Sequence, residues 1–313
     1  MNPTVSIVLA TYNRLALLRL TIASLLAQTL TDWELVIADD GSDEATRRYL
    51  RTLVTDARIR VLWLEHCGTP AVVRNAALAQ ARGQYVAFAD SDDLWLPEKL
   101  ALQVAAMCAA PGSRWSYTAY DCIDEHGERL PFQAQPQVGD LFESLLRIEA
   151  VVALPTVLAE RSLLEEVGGF DPEQEQAEDI DLWLRLVLRA DVVGLGSVLT
   201  RARFHHDHYC RGGVWNLYWL RYMYEKAEAL VTDDARRRLV RSARTQNAVR
   251  LMRAHAAVHD WRAVAAVVRA TWNFSWRVSS WWRGLSTASV RLLMPDQCLR
   301  TARRVAPGRP HER

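Results

Sequence analysis

Two nucleotide-binding signatures are missing from this 313-residue chain. No GxGxxG follows its first apolar run, and no GxxxxGK[ST] occurs anywhere. A dinucleotide fold and a P-loop are therefore disfavoured, since both need a glycine-rich turn that brings backbone N–H groups onto phosphate. Cysteine is scarce. Cys67, Cys108, Cys122, Cys210 and Cys298 form no CxxC pair and no even framework, which argues against a disulfide scaffold and for reduced thiols in a cytosolic setting. No apolar run reaches the ~18 residues that a spanning helix needs. The chain enters a strand at once, so no signal peptide is expected. Net charge is almost absent at +1, but its distribution is lopsided. Residues 201–313 hold 22 Arg and Lys against 8 Asp and Glu, a net of +14, while the first 200 hold 16 against 29, a net of −13. The acidic part can hold cations; the basic part suits an anionic surface. With half its residues hydrophobic, the chain is long enough for one large α/β domain and an appendage.

What is present begins with a strict alternation. Residues 5–10, 33–38, 58–64 and 84–89 are short apolar runs rich in β-formers, and helical patterns over 15–28, up to about 55 and over 69–81 separate them. Thr69 and Pro70 read as an N-cap and first-turn proline. Such alternation predicts a mostly parallel sheet with helices on both faces. Ligands of such sheets bind beyond the carboxyl ends of the strands. Three of those ends are polar: Thr11-Tyr12-Asn13, Asp39-Asp40 and Asp90-Ser91-Asp92. Further on, a fifth strand is expected at 115–120, a helix at 140–148, a partly extended segment at 151–159, a buried helix through 181–188 and a strand at 192–200.

Asp90, Asp92 and Asp93 put three carboxylates within four residues, with a helix opened by Pro97 expected next. Taken alone, the cluster reads as a solvated turn with an acidic helix cap. Its position at the end of a buried strand changes that reading, because clustered like charges there need compensation. A divalent cation such as Mn²⁺ or Mg²⁺ supplies it, since both take oxygen ligands and bridge carboxylates to phosphates. A second acidic group, Glu178, Asp179 and Asp181, opens the later buried helix, where the helix N-terminus favours negative charge.

The chain resembles the family-two glycosyltransferases, which have the GT-A fold. The resemblance rests on VSIVLATYNR at 5–14, ADDGSDE at 38–44, RNAALAQARGQYVAFADSDD at 74–93, GGFDP at 168–172 and EDIDLWLRL at 178–186. These stand in the family's order and at its spacing, over about the first 210 residues. The resemblance implies inverting transfer of a sugar from a nucleoside diphosphate donor to an acceptor hydroxyl. Thr11, Tyr12 and Asp40 match the residues that hold the base, with Asn13 and Asp39 beside them. Arg74 matches a basic residue near the diphosphate, Asp90 the position nearest the ribose with Ser91 next to it, and Asp92 the metal ligand, with Asp90 and His205 as further candidates. Asp179 matches the catalytic base, and Gly169, Glu178 and Asp181 fall on the acceptor side. His205, within an Arg203-x-His205 element, competes with His206 and His208, and a serine the family often carries after that element is missing.

The expected domains are a catalytic domain over 1–212 and an α-helical region over 213–313. In the latter, helices over 233–257 and from Trp261 to about Trp272 flank a break at His259-Asp260. Seven of the 12 tryptophans lie at or after Trp215, and Trp272, Trp276, Trp281 and Trp282 interleave with Arg269, Arg277, Arg283 and Arg291. That pairing suits a helix lying in the headgroup region of an anionic membrane; the rival is tryptophan packed inward with arginine facing water. No nucleic-acid recognition motif is present. The expected partners are thus a nucleotide-sugar, a saccharide or lipid-linked saccharide acceptor and an anionic membrane surface. The expected setting is cytoplasmic, peripheral to the inner face of the cell membrane, in the assembly of bacterial surface polysaccharide or glycolipid. Two rivals to a transferase are a sugar nucleotidyltransferase, which would carry a Gly-rich, basic loop after the first strand, and a degenerate scaffold, which would lack the metal or base carboxylates.

Overall fold

The structure is a computed structural model that describes residues 2–137, 140–204 and 214–275. Its contacts divide the chain into two units, Met1–Cys210 and Arg211–Arg313.

The first unit begins as the alternation predicts. Strands β1 (Val5–Thr11), β2 (Trp33–Asp39), β3 (Ile59–Trp63) and β4 (Tyr85–Asp90) are joined by α1 (Leu15–Leu26), α2 (Glu44–Leu53) and α3 (Pro70–Leu78). β1, β2 and β4 are mostly apolar and buried along almost their whole length, as parallel strands covered on both sides must be, with Ser6 and Glu34 as a buried hydrogen-bonded exception. All four lie parallel in the order β3-β2-β1-β4. The chain therefore runs outward from β1 to β3, then returns to the other side of β1. The reversal leaves a crevice beyond the carboxyl ends of β1 and β4, where open α/β sheets bind their ligands.

The sheet continues past β4 with β8 (Leu158–Glu160), β6 (Ser113–Ile123), β9 (Asp191–Arg203) and β5 (Leu94–Trp95). β8 is antiparallel to both of its neighbours, while β6 and β9 run parallel. β7 (Arg129–Ala134) forms a hairpin with β6 through a turn at Gly127, φ +91°. This exposed hairpin was not expected, because its strand lacks a buried, alternating face. β5 and β9 also differ from expectation: the two residues just after the acidic turn pair with β9, and β9 extends to Arg203. Pro97 consequently stands before helix α4 (Lys99–Ala109) and not inside it.

Helices α5 (Leu141–Arg147), α6 (Arg161–Val167) and α7 (Glu178–Val187) complete the unit. α7 buries Leu182, Trp183, Leu184 and Leu186. The Trp183 indole stacks on Trp115 of β6 (5.9 Å, 16°) and meets Phe88 of β4 at 6.1 Å. Its Nε1–H donates to the Val152 carbonyl at 3.1 Å. A strand of the crevice and the helix that faces it are thereby locked through one aromatic cluster. Lys99 is fully buried, with its Nζ 4.0 Å above the Trp95 ring and 2.6 Å from Gln103 Oε1; burial pushes its pKa well down.

The second unit contains α8 (Val214–Leu230), α9 (Asp234–Ala257) and α10 (Trp261–Ser275). Asp233 caps α9 by accepting from Arg236 N–H at 2.8 Å. His259, at φ +60°, sits in the break before α10. Leu251, Met252, Val264 and Val267 form its core. Glu228 of α8 pairs with Arg241 and Arg244 of α9, whereas Arg238, Arg250, Arg253, Arg262 and Arg269 are exposed. Among the described residues no helix is long and apolar enough to cross a membrane.

Candidate active site

Strand register brings the three polar ends together. Thr11 pairs with Asp39 across β1 and β2, and Ala10 pairs with Asp90 across β1 and β4. The polar residues predicted at separate points of the chain thus lie along one edge. Thr11 is buried there, and its hydroxyl has no partner among the described residues.

The edge formed by β1 and β2 is built around two aspartates. Asp39 is fully buried; it accepts from Ser42 N–H and from Arg47 Nε at 3.2 Å. Asp40 turns the other way. Its carboxylate accepts the Cys67 and Gly68 N–H groups at 2.9 and 3.0 Å and has His66 Nδ1 at 2.8 Å. The turn that follows them needs Gly41, because φ is +74° and a Cβ would stand 2.9 Å from His66 N. Tyr12, which follows Thr11 at the end of β1, is 44% exposed. Asn13 serves this loop: its N–H donates to Ser42 Oγ, and its Oδ1 accepts from Asp43 N–H.

The edge formed by β4 carries the carboxylate cluster. Arg14 Nη1 reaches Asp92 at 2.7 Å, Arg74 Nη2 reaches Asp90 at 2.9 Å, and Arg203 N–H donates to Asp93 at 2.7 Å. Ser91 is buried between them. Burial raises the pKa of Asp93, and the charges of Asp92 and Asp90 add to the shift. Asp90 is raised as well, by burial and then by Asp92, with Arg74 opposing. The Arg203 guanidinium holds the turn from behind by donating to the carbonyls of Asp92, Asp124 and Glu125.

Arg74 joins this edge to α7. Its other terminal nitrogen donates to Glu178 at 2.6 Å. Burial works against its charge, but Asp90 and Glu178 more than reverse that and raise its pKa. Removing one partner from such a buried pair costs about 3–5 kcal/mol. Asp179 follows Glu178 on the first turn of α7, half-buried, and accepts from Ile180 N–H. Burial and the neighbouring Glu178 push its pKa up to about 7.

The remaining predicted residues form a clasp. Asp181 is paired with Arg185 at 2.7 Å, and Arg185 donates to the carbonyls of Val167 and Gly169. Asn75, next to Arg74, reads the backbone of Phe170 from both sides: Nδ2 donates to its carbonyl at 2.7 Å, and Oδ1 accepts its N–H at 2.9 Å. The Gly168-Gly169 loop is therefore held between α3 and α7. Sequence reasoning missed Asn75, Arg14, Arg185 and His66. Arg14, Asn75 and Arg185 lie inside the quoted motifs, though the motifs gave them no role; His66 had no signal of this kind. His205, His206 and His208 lie outside the described residues.

The fit to a divalent cation rests on the donors. Asp90 and Asp92 offer hard oxygens at one strand end, and Arg14 already sets a positive charge against Asp92. Among the described residues no group of three or more His, Cys, Asp and Glu converges to hold a metal by itself. Two carboxylates suit a cation that takes its other oxygens from water and phosphate.

A curled α/β sheet of this order, with acidic residues at the β1–β4 switch and at the start of α7, defines a GT-A glycosyltransferase fold. Residues 6–136 match the family described as Glycosyl transferase family 2. The putative teichuronic acid biosynthesis glycosyltransferase TuaG of Bacillus subtilis is 33% identical over 205 residues, which are 64% of this chain and 79% of TuaG. The chain belongs to glycosyl transferase family 2. WfgD of Escherichia coli, a UDP-Glc:alpha-D-GlcNAc-diphosphoundecaprenol beta-1,3-glucosyltransferase, is 33% identical over 183 residues, 58% of this chain and 69% of WfgD. An uncharacterized glycosyltransferase of Rickettsia bellii is 31% identical over 205 residues, 65% of this chain but only 29% of that longer protein. Among solved structures, S. aureus TarS 1-349 in complex with UDP-GlcNAc superposes with a TM-score of 0.68 at 19% identity, covering 87% of this chain and 82% of TarS 1-349. Mannosyltransferase PcManGT from Pyrobaculum calidifontis, in complex with GDP-Man and Mn2+, gives 0.60 at 18% identity, covering 93% of this chain and 87% of PcManGT. At such identities these two support the fold alone.

Proposed function

We propose that the protein is an inverting glycosyltransferase that moves a sugar from a nucleoside-diphosphate-sugar to the hydroxyl of a saccharide or lipid-linked saccharide, in bacterial surface polysaccharide or glycolipid assembly. The observation that carries this reading is the Arg74 bridge. It ties the β4 carboxylate Asp90 to Glu178 at 2.9 and 2.6 Å, and so holds the two acidic groups of the site together.

In this reading Tyr12 and Asp40 receive the base and Asp90 lies by the ribose. Asp92 and Asp90 would hold Mn²⁺ or Mg²⁺, with His205 as a further ligand from outside the described residues. The cation would neutralise charge on the leaving diphosphate. Asp179 takes the proton from the acceptor hydroxyl. A sugar hydroxyl is a poor nucleophile until a base relieves it of that proton, and a base is most effective when its pKa lies near the working pH. At about 7, Asp179 meets that condition. Glu178 is committed to Arg74 and Asp181 to Arg185, which leaves Asp179 as the α7 carboxylate best suited to the task. Attack from the Asp179 side on the anomeric carbon, opposite the departing diphosphate, inverts the linkage.

WfgD, by its name, acts on a diphosphoundecaprenol-linked sugar. A lipid-linked acceptor here would suit the exposed arginines of α9 and α10 facing anionic headgroups, with the protein peripheral to the inner face of a cell membrane. Trp276, Trp281 and Trp282, which carry part of that expectation, lie outside the described residues.

The test is a donor-hydrolysis screen over uridine, guanosine and thymidine diphosphate sugars with Mn²⁺, followed by NMR of the transfer product. An α-linked donor should yield a β-linked product. EDTA and Asp92→Ala should each abolish turnover. Retained anomeric configuration, or full turnover in EDTA, would overturn the proposal.

A further inference from the structure

Tyr12 is exposed at the site's edge, yet one face of its ring is covered. The imidazole of His66 lies parallel to it, with 4.1 Å between centroids and 16° between planes. The same imidazole sets Nδ1 2.8 Å from an Asp40 carboxylate oxygen and 2.9 Å from the Asp40 carbonyl oxygen. Both of these oxygens only accept, so Nδ1 carries a hydrogen and donates it. His66 thus presents a flat heterocycle, stacked on a tyrosine, with a ring N–H directed at a carboxylate.

Uracil, thymine and guanine offer the same combination: a flat face and a ring N–H on the edge beside a carbonyl. We propose that in the nucleotide-free protein His66 occupies the nucleobase subsite and that the incoming base displaces it. The proposal rests on the nucleotide-sugar reading above.

The surroundings allow the exchange. The His66 side chain is 48% exposed, so it can turn into solvent without opening the core. Asp40 stays in place when it does. Its N–H donates to the Thr11 carbonyl at 2.9 Å, and its carboxylate keeps the Cys67 and Gly68 N–H bonds. The cost of displacement lowers the apparent affinity by the fraction of molecules whose subsite is open. Deleting the ring should therefore tighten nucleotide binding. If His66 were instead a fixed wall of the subsite, its deletion would loosen binding.

Two measurements test this on the full-length protein. Calorimetry with UDP, GDP and dTDP should show binding of at least one of the three. His66→Ala should bind the favoured nucleotide about threefold or more tightly than wild type. In parallel, ¹H–¹³C spectra of histidine-labelled protein contain a His66 resonance, assigned by its loss in His66→Ala. Its ring protons should move downfield at saturating nucleotide as they leave the Tyr12 face. Weaker binding by His66→Ala or an unmoved His66 resonance at saturation would each overturn the proposal while leaving the transferase reading intact. No binding of any of the three would overturn both.

Discussion

The pKa of about 7 at Asp179 makes the proposed reaction depend on pH in a defined direction. A base must be ionised to act. Below about pH 7 the carboxyl is protonated, and kcat/KM should fall about tenfold per pH unit; above it the rate should level off. Asp179→Asn keeps the shape and removes the proton acceptor. It should cut turnover by about 10²–10⁴ and abolish that acidic limb while leaving donor affinity little changed. A steady-state pH series on both proteins checks this, and an unaltered limb in the variant would move the role to another group. At this scale the sequence was legible where chemistry is spelled by a run of residues. Asp90 and Asp92, the adjacent Glu178 and Asp179, and the Asp39-Asp40 pair could each be singled out from local pattern. His66 could not, because its partner Tyr12 is 54 residues away and only the β1-β2-β3 register brings the two loops together.

Elements matter most at the clasp between α3 and α7. Gly168 and Gly169 both have positive φ, +81° and +68°, but their surroundings differ. A Cβ at Gly168 meets nothing within 4 Å, whereas one at Gly169 would stand 2.7 Å from Asn75 Oδ1. Gly168→Ala should therefore cost only the left-handed backbone penalty, about 1–2 kcal/mol. Gly169→Ala should cost more and lower turnover too, since it pushes Asn75 from Phe170 and disturbs the helix that also carries Arg74. Thermal unfolding and donor turnover of both variants check the contrast; equal behaviour would remove the clasp from the site's support. The alternating strands and helices up to β4 were legible because each is a self-contained periodic segment. β5, β7 and α6 were not. β5 is two residues long, β7 is exposed, and α6 has seven residues, so none carries enough period to stand out from loop.

For the whole molecule, the exposed arginines of the second unit argue for binding to anionic membranes. Each basic residue near such a surface contributes ~1 kcal/mol, screened by salt within a Debye length. The full chain should sediment with anionic vesicles at low salt, be partly released by high salt and bind neutral vesicles less; a chain ended at residue 279 should bind less as well. If both stay in the supernatant at low salt, a soluble acceptor or a protein partner becomes the better reading. The charge asymmetry behind this expectation was visible in composition, but which arginines are exposed and which are paired became visible only with the helices in place. The stacked indoles of Trp115 and Trp183 have an optical consequence for the first unit. Two buried indoles 5.9 Å apart and nearly parallel couple their transitions, and the resulting near-ultraviolet circular dichroism lasts only while their packing is fixed. Because Trp183 rides on the helix that begins at Glu178, this band is a label-free gauge of whether that helix is seated, readable without substrate, dye or mutation.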